Sequence, residues 1–152
     1  MRVRDVMPPE LVCVRPDDTV RVAADRLVEY EHRALPVVNN EGRLVGVISE
    51  IDLLALLLPD YVAQIDDLSF LPEDFAPGRH SFEDVRCLPV SKAMCTNIGQ
   101  TTTEDEPVLE VIRQMLKYRI PYLPVLRDGK LVGMLSSGSL VRSIIRETGD
   151  CP

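Results

Sequence analysis

The sequence predicts an α/β fold of the α+β kind, built from two copies of one small sheet-and-helix unit. Three observations predict it. First, an ordered set of matches recurs along the chain. Met7 lies 87 residues before Met94, and the apolar set Val20, Ala23, Ala24, Leu27 and Val28 lies 88 before Val108, Val111, Ile112, Met115 and Leu116. Leu35-Pro36-Val37-Val38 lies 88 before Leu123-Pro124-Val125-Leu126, and Leu44-Val45-Gly46 lies 87 before Leu131-Val132-Gly133. Second, each copy passes from helical to strand periodicity at the same place. Third, an acidic stretch separates the copies: residues 60–84 carry one Arg against seven carboxylates, whereas residues 85–152 carry nine basic and seven acidic groups.

The elements follow in order. A cap-rich stretch opens each copy, Pro16-Asp17-Asp18-Thr19 in the first and Thr103-Glu104-Asp105-Glu106 in the second. An apolar stripe at i, i+3, i+4, i+7 and i+8 then predicts an amphipathic helix. Two short β-branched strands follow. Their turn is NNEGR in the first copy and RDGK in the second, and the one-residue difference falls where a duplicated unit tolerates it. Asp128-Gly129 suits a two-residue hairpin, since Gly accepts positive φ. A closing helix rich in Leu and Ile begins near Ser49 and near Ser136. A unit of about 55 residues is marginal alone, so the copies are expected to bury their sheets against one another. The expected organisation is repeat 1 over 1–58, an acidic insert over 59–87, repeat 2 over 88–147 and a tail over 148–152.

Composition narrows the function. At 45% hydrophobic and a mean hydropathy of +0.03, the chain can bury a core. Seventeen basic against 24 acidic residues give a net charge of −7, which argues against nucleic acid as a partner because phosphate binding relies on clustered Lys and Arg. The longest apolar run, Leu53 to Leu58, is far short of the roughly 20 residues that span a bilayer. The start, MRVRDVMPPE, lacks the apolar region of a signal peptide. A soluble cytoplasmic protein, away from membranes, is expected. Cys13, Cys87, Cys95 and Cys151 form no CxxC pair, and His32 and His80 stand at no ligand-like spacing, so reduced thiols and no metal are expected. No nucleophile–base spacing, GxxxxGK[ST] loop or GxSxG is present, so no enzyme and no catalytic residues are expected.

A Met near the start, a short helix, h-P-V, then G-h-h-[ST]-x-x-[DN] resembles a cystathionine-β-synthase (CBS) domain, and two in tandem resemble a Bateman module. The resemblance covers residues 1–58 and about 88–147. It implies two βαββα repeats packed sheet-to-sheet about a pseudo-two-fold axis. It also implies regulatory sites in the clefts between them for an adenosyl ligand such as AMP, ADP, ATP or S-adenosylmethionine, with no cofactor in the catalytic sense.

Candidate binding residues follow from both readings. Ser49-Glu50-Ile51-Asp52 opens a helix after Gly46-Val47-Ile48. A carboxylate there can accept both hydroxyls of a ribose diol, through bonds worth about 1.5–3 kcal/mol each when shielded. The same spacing is a capping box. The resemblance assigns Ser49 and Asp52 to ribose, and the two roles can coexist in part. In the second copy Ser136 is followed by Ser139 in the acidic place, which marks that cleft as degenerate. Arg33 matches a position that faces ligand phosphates in the family, and Arg119 is placed to reach the same cleft from across. Both arginines equally suit helix ends, where they would satisfy the last carbonyls. Ala34, Leu35 and Val47 are the candidates for an apolar purine slot, completed by Ile98.

Within 59–78 the insert carries Phe70 and Phe75, two of the chain's three Phe, among carboxylates. Short helices with Phe70, Leu71 and Phe75 tucked onto the body are expected, pinning the two copies together; a docking surface for a basic partner is the other reading. The function expected is a regulatory sensor whose ligand occupancy is passed on by self-association or by another protein. The alternative is a ligand-free interaction or dimerisation module using the acidic insert. A homodimer is expected from the apolar residues Leu53, Leu56, Leu57, Ile144 and Ile145.

Overall fold

The structure, a computed structural model, describes residues 1–58, 65–67, 69–70 and 82–152. The elements run α1 (Val3–Val6), α2 (Val20–Glu29), β1 (Ala34–Val38), β2 (Leu44–Ser49), α3 (Glu50–Ala55), α4 (Phe82–Val85), a 3₁₀ turn (Val90–Lys92), β3 (Thr102–Thr103), α5 (Val108–Tyr118), β4 (Tyr122–Arg127), β5 (Lys130–Ser136) and α6 (Ser137–Glu147).

The repeat is visible in the hydrogen bonding. β1 pairs antiparallel with β2 and β4 with β5, setting Pro36 opposite Val47 and Pro124 opposite Met134. Both hairpins carry a bulge at the equivalent place, after Val37 and after Val125. β3 adds to β4 in parallel, and the first copy has a one-residue counterpart in the parallel bridge of Val14 to Val37. The Asp128-Gly129 turn has φ of 51° and 78°, as a two-residue hairpin of this hand requires. The hairpin turns of the two copies touch, with Leu131 N donating to Gly42 O at 3.1 Å.

Each copy's core is finished by the other copy's leading segment. Val3 and Val6 are buried with Val108, Val111, Leu123, Val125 and Leu135 of the second copy, and Met7 packs against the same cluster. Val90 is buried with Val14, Leu27, Leu35, Val37 and Ile48 of the first copy, with Ala93 and Met94 beside it. Fully burying a Val contributes about 1.5–3 kcal/mol, so α1 alone secures a substantial part of the second core. The exchange extends to the helix starts. Val108 N donates to Met1 O at 3.1 Å, and Val20 N donates to Leu88 O at 2.8 Å. The leading segment thus takes up an amide that a helix start leaves without an internal partner. α2 also has the side-chain cap its sequence offers, with Thr19 Oγ1 accepting from Val22 N at 3.3 Å. α5 departs from expectation: its N-cap is Pro107, beyond the cap-rich stretch, and no side chain caps it.

Two expectations about apolar residues need correction. Phe70 is 69% exposed rather than tucked onto the body; Leu71 and Phe75 lie outside the described residues. The end of the insert is tied to the first copy: Val85 is buried, and Arg86 O accepts from Arg21 N at 2.9 Å. On α3 the phase of the helix turns Leu53 onto the first core and half-buries Leu56 and Leu57, leaving Ile51 and Leu54 as its most exposed apolar side chains. On α6, Val141, Ile144 and Ile145 face outward.

Candidate functional site

α2 and α5 both end on a left-handed residue, Glu31 and Arg119, each with φ of 54°. That corner throws the chain sideways into the following strand, so 32–34 and 120–122 arrive at equivalent places. Each corner is tied to its own copy's closing helix: Glu50 N donates to Arg33 O at 2.9 Å, and Ser137 N to Pro121 O at 2.8 Å. Corner, strand end and helix start therefore converge in each copy.

The helix starts are built as the sequence reads them. Ser49 caps α3, its Oγ accepting from Asp52 N at 3.2 Å, while Asp52 Oδ2 accepts from Ser49 N at 2.8 Å and from Ser49 Oγ at 2.9 Å. Ser136 caps α6 in the same way: its Oγ accepts from Ser139 N at 3.1 Å, and Ser139 Oγ accepts from Ser136 N at 3.0 Å. Ser139 Oγ also donates to Ser136 O at 2.8 Å. Asp52 thus serves the cap, and its charge remains half-buried at the helix start.

A cavity of about 300 Å³ lies between the copies. The first copy contributes Pro8, Glu10 and Val12, then His32, Arg33, Ala34 and Pro36. The second contributes Pro121, Tyr122 and Met134 from the strands, and Ser136–Ser139 with Arg142 from α6. The cavity therefore brings together Arg33, Ala34, Ser136 and Ser139. It places the first copy's corner against the second copy's helix start, whereas the sequence reading grouped Arg33 with Ser49 and Asp52. Ser49, Asp52, Ile98 and Arg119 are not in its wall. Leu35 and Val47 are not in its wall either. Leu35 has no exposed surface and packs in the first core, and Val47 is 3% exposed and held by reciprocal backbone bonds with Cys95 at 2.8 and 2.9 Å. Alternation along the strands puts Leu35, opposite Ile48, on the face turned to the first core and Val47, opposite Pro36, on the other face.

Tyr122 was missed, although it stands at Ala34 plus 88. It links the cavity to the other helix start: burial, then electrostatic interaction with Asp52 and Cys95, push its phenol pKa above the ordinary value. Arg142 was missed too; it lies one turn beyond Ser139 on α6, and that spacing was the available signal. Among the described residues no ion pair engages Arg33 or Arg142.

Comparison with known proteins agrees with this architecture. The family model for the CBS domain matches twice, over residues 3–59 and 90–146. The chain belongs to the CBS domain family. It carries the domain as a tandem pair, and its α+β structure is that of solved CBS pairs. A CBS domain-containing protein of Dictyostelium discoideum is 32% identical over 146 residues, covering 95% of this chain and 91% of the relative. The chloroplastic CBS domain-containing protein CBSX2 of Arabidopsis thaliana is 32% identical over 95% of this chain. Its structure in complex with AMP superposes with a TM-score of 0.69, at 29% identity over 95% of this chain and 96% of that one. An uncharacterised protein of Methanocaldococcus jannaschii matches at 26% identity with a TM-score of 0.72, over 96% of this chain and 60% of that one. The chain spans 58% of the full length of the Methanocaldococcus relative and 63% of that of CBSX2.

Proposed function

We propose that this CBS pair is a non-catalytic regulatory module that binds an adenosyl ligand between its copies and transmits occupancy by self-association or to a protein partner. The observation that carries the reading is the inter-copy cavity, whose volume of about 300 Å³ lies at the lower end of small-ligand sites. Its walls combine apolar surface from Val12, Ala34, Pro36 and Met134 with polar groups from Ser136–Ser139 and the two guanidiniums. The AMP complex of CBSX2 supports the ligand class. Because the walls belong to different copies, a ligand bridging them biases their relative angle, a shift of population rather than chemistry.

A thermal-shift series with AMP, ADP, ATP, S-adenosylmethionine and NAD tests the reading. A ligand at 100 times its Kd adds about 2.7 kcal/mol of stability. No shift with any of them would refute it. Self-association has its own support in the outward-facing apolar side chains Ile51 (72% exposed), Leu54 (57%), Val141 (54%) and Ile145 (62%). It predicts sedimentation at twice the 17.0 kDa chain mass, and a clean 17.0 kDa species at high micromolar concentration would rule it out.

A further inference from the structure

Charge at the start of α6 is arranged against its own helix. A helix begins with unsatisfied amides and the positive end of its dipole, so a nearby cation is disfavoured unless an anion lies between them. Here Arg142 folds back over that first turn. A β-carbon added to Gly138 would stand 3.7 Å from Arg142 Nη1, 3.9 Å from its Nη2 and 3.8 Å from Ser136 Oγ. No carboxylate neutralises the guanidinium among the described residues; Glu10 and Glu31, both exposed, form no ion pair with Arg142 or with Arg33 on the facing wall. The amides of Ser137 and Ser139 are taken by Pro121 O and Ser136 Oγ, and the Gly138 amide, on the cavity wall, has no partner among the described residues.

The place where a carboxylate would read a sugar diol is occupied differently. Ser139 is 7% exposed, and its hydroxyl spends its single proton on Ser136 O while accepting from Ser136 N. It has no charge and no proton to give.

We infer that this cleft anchors its ligand by an anionic group, held between the Arg142 guanidinium, the Gly138 amide and Arg33, and does not discriminate by the ribose 2′-hydroxyl. The inference rests on the adenosyl reading above and specifies it: the ligand is a phosphorylated nucleoside recognised through charge, and ribo- and deoxyribonucleotides bind alike. Arg33 and Arg142 come from different copies, so the same anion clamps them together.

Amide NMR titration of the full chain resolves the two clefts, because Ser137–Ser139 report this one and Glu50–Asp52 the other. The probes are AMP, 2′-deoxyadenosine 5′-monophosphate and adenosine, against the unaltered protein and Arg142→Gln, whose exposed side chain leaves the core untouched. At Ser137–Ser139 the two nucleotides should bind within about 3-fold of each other and adenosine at least about 10-fold more weakly. Arg142→Gln should weaken both nucleotides by about 10-fold or more and leave adenosine unchanged. An unaltered AMP affinity in Arg142→Gln, or AMP binding more than about 10-fold tighter than its deoxy analogue, overturns the anion anchor and leaves the adenosyl reading standing. Shifts confined to Glu50–Asp52 place the ligand in the other cleft and overturn the inference alone. No shift at either cleft with any probe overturns the adenosyl reading itself, and this inference with it.

Discussion

Gly133→Ala tests the exchange of leading segments more sharply than any change in the clefts. Gly133 lies in β5, opposite Val125, and Met7 crosses directly over it. A methyl group there would overlap Met7 Sδ and stand 2.9 Å from Met7 Cγ and 3.3 Å from its Cε. All three atoms belong to a side chain from the other end of the sequence. Overpacking of this kind costs about 1–3 kcal/mol. Against it, replacing Gly within a strand recovers about 0.5–1 kcal/mol of backbone entropy. The substitution alone should therefore destabilise by about 1–2 kcal/mol, which lowers Tm by about 2–4 °C per kcal/mol in a chain of this size. Met7→Ala removes every obstructing atom. In that background the same substitution should be neutral or stabilising by about 0.5 kcal/mol, a coupling of about 1–3 kcal/mol across the cycle. Urea unfolding of the four proteins measures it. Additivity within about 0.5 kcal/mol would refute the proposition that Met7 seals the second copy's sheet.

The equivalent Gly46→Ala should cost more than Gly133→Ala in the same unfolding assay, because its methyl would meet Met94 Sδ at 2.7 Å and also the fixed Cys95 carbonyl at 3.0 Å, which accepts from Val47 N. Asp52→Ala should lower stability by about 1 kcal/mol through loss of the α3 cap. Calorimetry adds the second half of that test: a role in holding ribose brings a loss of AMP affinity of about 30-fold or more, and unchanged affinity leaves Asp52 a cap alone. Glu104 is held below its ordinary 4.5 chiefly by its hydrogen bonds to Arg127, at 2.6 and 2.7 Å. Its contribution is therefore complete above that value and drains away as pH falls through the lower folded-state pKa. Glu104→Gln should reduce stability at neutral pH and narrow the gap between urea midpoints at neutral pH and at about pH 3; an unchanged gap would refute the linkage.

Much of the fold was legible. Helical stripes and strand alternation state which face of each element is apolar, and α2, β1, β2, α5, β4, β5 and both closing helices lie where those patterns put them. The Ser49–Asp52 capping box was legible because a cap is a contact three residues long. The site was less so. Arg33 and Ala34 were selected with Ser49 and Asp52 because they are neighbours in one copy, and the sequence holds no information on which copy supplies the facing wall. Arg142 was passed over because its one-turn spacing from Ser139 gains meaning only once both are seen to line the same cavity. Leu35 and Val47 were assigned to a slot although their apolar character serves the core equally well.

The sequence by itself determined that the chain is a duplicated α+β unit, that each copy runs helix, strand, strand, helix, and that the second copy lacks the acidic residue at its closing helix. Each follows from patterns spanning a few residues, in which backbone geometry fixes the neighbours. Only the tertiary structure decided that the copies exchange their leading segments, with Met7 on Gly133 and Met94 on Gly46, and that the cavity joins the corner of one copy to the helix start of the other. The physical reason is the repeat itself. The two leading segments share a pattern, VRDVM and VSKAM, and either could cover either core by hydrophobic burial, which is non-directional. The pairing is settled by shape and by the backbone bonds from Met1 and Leu88 to the opposite helix starts, which exist only once both copies are folded together.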